Sequence, residues 1–280
     1  MSKYKKLSRR DVLKTGGAVV ATTVVATSLL SAKAYTAEKV VPRWAMVVDL
    51  RRCIGCRGCT VACKSEYDVA LGRWNTVVKN IEFGKYPNTQ KHFLPRLCNN
   101  CAGEKDVPPC VEKCPEAKSG KREKLGDVRY RTGATYKRPD GMILLDMSLC
   151  IGCYKCIEAC PYGVRSVDPF AKLTRPDREK ELGVGKCTFC VHRVDKGVAP
   201  SCVNTCQGGA RIFGDLNDPE SAVAKLNNEF KLVKNAQKTT LLPGEKTQPH
   251  VFYIDPAGIL ARYKIDKKTK EKEFSDQFEG

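Results

Sequence analysis

The chain is 280 residues long, with 49 Lys or Arg against 31 Asp or Glu and a formal charge of +18. That charge raises nucleic-acid binding first, but there is no zinc-finger, RNP or helix-turn-helix signature, and the lysines are scattered apart from the tail 264–272. Past the N-terminal region no stretch approaches the ~18 consecutive apolar residues of a membrane-spanning helix, so direct membrane crossing by the rest of the chain is excluded.

Residues 8–14 read Ser-Arg-Arg-Asp-Val-Leu-Lys, which resembles the twin-arginine export signal with Val12 where that signal usually has Phe. An apolar run from Ala18 to Leu30 follows, too short for a stable span, and Ala32-Lys33-Ala34 has the small-x-small form of a cleavage site. Residues 1–34 are therefore expected to be a cleaved signal, the alternative being a short membrane anchor where cleavage fails. The twin-arginine route exports folded proteins with cofactors already inserted, so a periplasmic location is expected. Removing residues 1–34 takes away seven Lys or Arg and one Asp and leaves the mature chain at +12.

Along the mature chain, Ala45–Leu50 and Met142–Asp146 read as short strands, the second preceded by the hairpin signal Asp140-Gly141. The polar, basic stretch 120–139 reads as an inserted surface loop or hairpin, either covering the core or docking a partner. Gly183-Val184-Gly185-Lys186 echoes a phosphate loop without completing it and is read as a turn. From Asp218 to about Phe230 a helix is predicted, with Val223, Leu226 and Phe230 on its apolar stripe. His250–Ile254 reads as a strand, and the charged tail after Tyr263 is expected to be mobile. His92, His192 and His250 stand apart, without a paired-carboxylate or H-x3-H pattern, and no catalytic constellation emerges. His192 lies two residues after Cys190 and is read as a surface or packing residue. Arg51 and Arg52, beside the first cysteine, suit partner docking or charge balance.

The chemistry resides in sixteen cysteines, which fall into four groups: Cys53/Cys56/Cys59/Cys63, Cys98/Cys101/Cys110/Cys114, Cys150/Cys153/Cys156/Cys160 and Cys187/Cys190/Cys202/Cys206. The first and third read C-x2-C-x2-C-x3-C; the second and fourth keep both ends but lengthen the middle to x8 and x11. A cubane cluster has four iron corners, each needing a soft thiolate, and in the bacterial ferredoxin run three cysteines hold one cubane while the fourth reaches its neighbour. Gly55, Gly58 and Gly152 sit in the short intervals, where a residue without Cβ can take positive φ and let the loop turn sharply. The x3 step suits a first helical turn leading away. Zinc sites join two separated pairs, and secreted disulfide scaffolds are short; neither calls for this pattern. Four [4Fe–4S] clusters are expected.

Cys114-Pro115 and Cys160-Pro161 carry the ferredoxin C-P ending, whereas Lys64 and Gln207 follow Cys63 and Cys206. Groups two and three then make one ferredoxin unit, with groups one and four wrapped round it. Cluster 1 takes Cys53, Cys56, Cys59 and Cys206; cluster 2 takes Cys187, Cys190, Cys202 and Cys63. Cluster 3 takes Cys98, Cys101, Cys110 and Cys160; cluster 4 takes Cys150, Cys153, Cys156 and Cys114. Pairing one with two and three with four also satisfies valence. The expected fold is α+β: two nested bacterial-ferredoxin-like modules with short strands, hairpins and peripheral helices. Module 1 takes 35–97 and 166–215, module 2 takes 98–165 with the insertion 120–139, and 216–280 adds a helix, a strand and the tail.

With these groups, the segments Ala45–Cys56, Leu94–Cys101, Lys186–Arg193, Gly208–Asp215 and Pro249–Tyr253 resemble the iron–sulfur subunit of the complex iron–sulfur molybdoenzymes, the tetrathionate reductase branch most. The resemblance covers nearly all of the mature chain; polysulfide, sulfite and dimethyl sulfoxide relatives share parts of the same words. It implies an electron-transfer subunit with no catalytic site of its own. Its expected partners are a molybdopterin-containing catalytic subunit that reduces tetrathionate to thiosulfate and a membrane subunit that oxidises quinol. The rivals are the equivalent subunit of a polysulfide, thiosulfate, sulfite, dimethyl sulfoxide or nitrite system, a free-standing periplasmic polyferredoxin, and a structural metal-binding or nucleic-acid-binding protein.

Overall fold

A computed structural model describes residues 41–172, 182–266, 268–270 and 274; the expected signal 1–34 lies outside them. The strands are β1 (Trp44–Asp49), β2 (Thr76–Phe83), β3 (Gln90–Leu97), β4 (Arg122–Leu125), β5 (Val128–Arg131), β6 (Thr135–Lys137), β7 (Ile143–Leu145), β8 (Ser166–Lys172), β9 (Leu182–Gly185), β10 (Arg211–Asp215) and β11 (Val251–Ile254). The α-helices are α1 (Gly58–Tyr67), α2 (Pro109–Glu112), α3 (Lys155–Glu158), α4 (Val191–Val194), α5 (Ser201–Asn204), α6 (Ala222–Phe230), α7 (Ala236–Thr239) and α8 (Ile259–Arg262). Every cysteine group follows one strand (β1, β3, β7 or β9), and its third cysteine lies in a helix (α1, α2, α3 or α5), with the fourth in α1 or just beyond the end of α2, α3 or α5.

β1 is the centre of the one three-stranded sheet among the described residues, antiparallel to β10 and parallel to β11. Its side chains alternate between two cores, as period two requires. Ala45 and Val47 pack with Val223, Leu232, Phe252 and Ile254, while Met46 and Val48 join the larger core that surrounds the cysteines. Both faces being covered, Ala45–Asp49 is buried throughout, so the strand reads as a run rather than an alternation. The predicted stripe of Val223, Leu226 and Phe230 is the face with which α6 covers this sheet, and Ser221 caps the helix by accepting from the Val223 N–H at 3.3 Å.

Four two-stranded ribbons complete the strand structure described: β2–β3, β4–β5, β6–β7 and β8–β9. Asp140-Gly141 forms the expected turn, between β6 and β7, with Gly141 at φ +88. Within 120–139, β4–β5 is an exposed hairpin, but the later part is not surface: Ala134, Thr135 and Arg138 are buried. Two expectations are corrected. Gly183–Lys186 is no turn, because residues 183–185 pair with β8 as part of β9. The tail is anchored where it is described: Phe274 is 1% exposed, in the main core, with the Arg96 guanidinium 5.3 Å from its ring.

Candidate metal centres

All sixteen cysteines are free thiols, and they gather in four sets, three of which line hollows. Cys53, Cys56, Cys59 and Cys206 line a first hollow. Cys63, Cys187, Cys190 and Cys202 form a second set; the Cys63 thiol is pushed far up by burial and then by those three neighbours. Cys98, Cys101, Cys110 and Cys160 line a third hollow, and Cys114, Cys150, Cys153 and Cys156 a fourth.

The backbone explains how each set is presented. In the opening C-x2-C step of each of the four groups the residue before the second cysteine is left-handed: Gly55 (φ +72), Asn100 (φ +42), Gly152 (φ +65) and Phe189 (φ +56). That turn aims an N–H back at the first sulfur, as at Phe189, 3.4 Å from Cys187 Sγ, and at Gly55 and Gly152 toward Cys53 and Cys150. Gly58 departs from expectation, since Arg57 and Tyr154 take the second left-handed position (φ +57 and +56) and Gly58 begins α1. Alternating left-handed residues gather N–H groups into a concavity that suits an anion.

The x3 step moves the last cysteine four residues on, a rise of about 6 Å along a helix, far enough to enter the adjoining set. α1 carries Cys59 of the first set and Cys63 of the second, and α5, packed on α1, carries Cys202 of the second set and leads into Cys206 of the first. α2 and α3 pack together in the same way between the third and fourth. The second and third meet where Cys98 acts on Cys187. The four sets thus form a row, with exposed cysteines at its two ends, Cys56 and Cys153, and four buried thiols in the second set.

Charge and donor set indicate what the hollows accept. Burial, then the Cys98 and Cys110 thiols, push Cys160 up to about 11; burial raises Cys202 to about 11 against the pull of Arg211. Thiols so placed are protonated at neutral pH unless a metal deprotonates them. Three buried cations stand among them, Arg165 (1% exposed), Lys186 (3%) and Arg211 (3%), and among the described residues none has a carboxylate partner. The Nε atoms of Arg165 and Arg211 have no hydrogen-bond partner. Burying a cation without an anion costs several kcal/mol, so the interior is built for concentrated negative charge. Four thiolates round an iron–sulfur cubane supply it.

Sequence reasoning missed these cations, although a signal existed: Arg165 and Arg211 both lie five residues after a closing cysteine, and Lys186 directly precedes Cys187. The histidines lie apart from the hollows. His192 Nε2 is 2.7 Å from Glu66 Oε1 at the surface, His92 stacks on Phe83, and His250 is buried against the β6–β7 turn.

Comparison with known proteins agrees with this chemistry. A family described as "4Fe-4S dicluster domain" matches residues 89–216, and one described as the twin-arginine translocation pathway signal sequence matches residues 6–26. The chain is 38% identical to a tetrathionate reductase subunit of Salmonella typhimurium, over 76% of this chain and 72% of that protein. It is 36% identical to the arsenate respiratory reductase iron-sulfur subunit of a Shewanella species, over 79% of this chain and the whole of that protein. It is also 36% identical to a selenate reductase subunit of Mesobacillus selenatarsenatis, over 76% and 72%. The fold is thus a ferredoxin-like dicluster arrangement of mixed helix and strand, its cofactors are [4Fe–4S] clusters, and its signal directs export to the periplasm. The chain belongs to the iron–sulfur subunits of the molybdoenzyme family, which transfer electrons within oxidoreductase complexes and leave catalysis to a partner subunit.

Proposed function

We propose that this chain holds four [4Fe–4S] clusters and conducts electrons from a quinol-oxidising membrane subunit to a molybdopterin-containing subunit that reduces tetrathionate to thiosulfate. The carrying observation is the row of four sets of four cysteines, three of them lining hollows, with Cys56 and Cys153 exposed at opposite ends. Cluster 1 takes Cys53, Cys56, Cys59 and Cys206; cluster 2 takes Cys187, Cys190, Cys202 and Cys63. Cluster 3 takes Cys98, Cys101, Cys110 and Cys160; cluster 4 takes Cys150, Cys153, Cys156 and Cys114. Residues 35–97 and 166–215 form the outer module and 98–165 the inner one. The clusters supply one-electron chemistry; the chain supplies ligands, N–H groups aimed at sulfur, and burial, which set their potentials. The membrane subunit would also hold the exported chain at the membrane.

Tetrathionate rests on the relative from Salmonella typhimurium. The relatives from Shewanella and Mesobacillus, nearly as similar, favour an arsenate- or selenate-reducing complex as the second reading, because the substrate pocket lies on the partner. Anaerobic purification of the tagged mature chain from its native host decides. Co-recovery of a large molybdopterin subunit that oxidises reduced viologen with tetrathionate is the expected result. Activity with another oxyanion keeps the electron path and replaces the substrate; recovery of the chain alone overturns the complex and leaves a free polyferredoxin.

A further inference from the structure

The three buried cations are not scattered: one lies at each junction of the row. Arg211 lines the first hollow, and its guanidinium also reaches Cys202 of the second set. It donates from Nη2 to Thr76 Oγ1 at 2.7 Å. Lys186 sits between the second and third sets: its Nζ donates to the carbonyl of Cys187 at 2.7 Å and to that of Ile143, which lines the third hollow. Arg165 lines the third hollow, donates from Nη2 to Cys110 Sγ at 3.1 Å, and from Nη1 at 3.3 Å to Thr135 Oγ1, which lines the fourth. The thiols that act most strongly on Arg165 belong to the third and fourth sets, and those acting on Arg211 to the first and second.

We infer that Arg211, Lys186 and Arg165 are positioning residues for electron transfer, each shared by two neighbouring clusters and holding both potentials up. The inference rests on the four-cluster reading. Each one-electron step adds a negative charge to one cluster and removes it from the next, with no proton required. A fixed cation between the two favours the reduced form of either and biases neither direction. A hydrophobic side chain would fill the same space without this effect, which accounts for charges kept where burial opposes them. An isolated cation on one cluster would create a step in the path; one at every junction keeps the row level.

The test is a potentiometric titration of the purified complex followed by electron paramagnetic resonance, with signals assigned by their loss in single Cys→Ser variants. In Lys186→Met, the ratio of reduced to oxidised form at a given potential should fall about tenfold for clusters 2 and 3, or about 59 mV per one-electron couple. Clusters 1 and 4 should stay in place. Arg165→Met should lower clusters 3 and 4, and Arg211→Met clusters 1 and 2. Arg165→Lys and Arg211→Lys keep the charge and should hold the potentials within about threefold in that ratio. Shifts in all four clusters together, no shift in a variant with full iron, or equal shifts in Lys and Met variants would each overturn the assignment; the Lys variants retain the test where a Met variant loses iron. Fewer than four clusters in the unaltered complex would instead refute the reading beneath it.

Discussion

Arg138 joins the β6–β7 turn to the end of α4, donating to Asp140 at 2.6 and 2.9 Å and to Asp195 at 2.6 and 2.8 Å. Asp140 is buried, so Arg138→Met leaves an uncompensated carboxylate. The variant should lose roughly 3–5 kcal/mol, read as earlier thermal loss of cluster absorbance. Asp195 is half exposed, and Asp195→Asn should lose only about 1 kcal/mol or less. His250 adds a pH dependence: burial, then Arg43 and Lys137, lower it to about 4. Its folded value lies below the unfolded one, so the unfolded chain binds the proton first and stability falls as pH drops from about 6.5 toward 4. His250→Asn should flatten that fall; equal slopes for variant and parent across that window would show that His250 does not govern it. At this scale the cysteines were legible because their spacing is local. Arg165, Lys186 and Arg211 were not, since a lone basic residue acquires meaning only from what buries it.

Elements were readable where the pattern is periodic or the turn chemistry sharp, as in β1, the Asp140-Gly141 turn and the stripe of α6. β9 was not, because Leu-Gly-Val-Gly lacks β propensity and is a strand only by pairing with β8. Phe274 docks over Arg96, a long-range contact with no local trace in a charged tail. Leu232, 1% exposed in the core between α6 and the sheet, lies apart from the cysteines. Leu232→Ala should therefore lower stability by about 2–5 kcal/mol while leaving iron content unchanged. Iron loss from the well-folded variant at low temperature would mean that this core also shapes the hollows.

At the scale of the whole molecule, which groups meet is decided by the packing of α1 on α5 and of α2 on α3. The sequence hints at this only through two prolines. The pairing predicts that Cys206→Ser removes the signal of the cluster on Cys53, Cys56 and Cys59 and spares that on Cys98, Cys101 and Cys110; the reverse loss would refute it. On the four-cluster proposal the cationic excess has its counterpart inside, where sixteen thiolates would need compensation. Iron and acid-labile sulfide, counted per chain in anaerobically purified protein, test the account most directly. Four cubanes predict about sixteen of each, with no stoichiometric zinc. About eight of each, or zinc without sulfide, would contradict a four-cluster electron path.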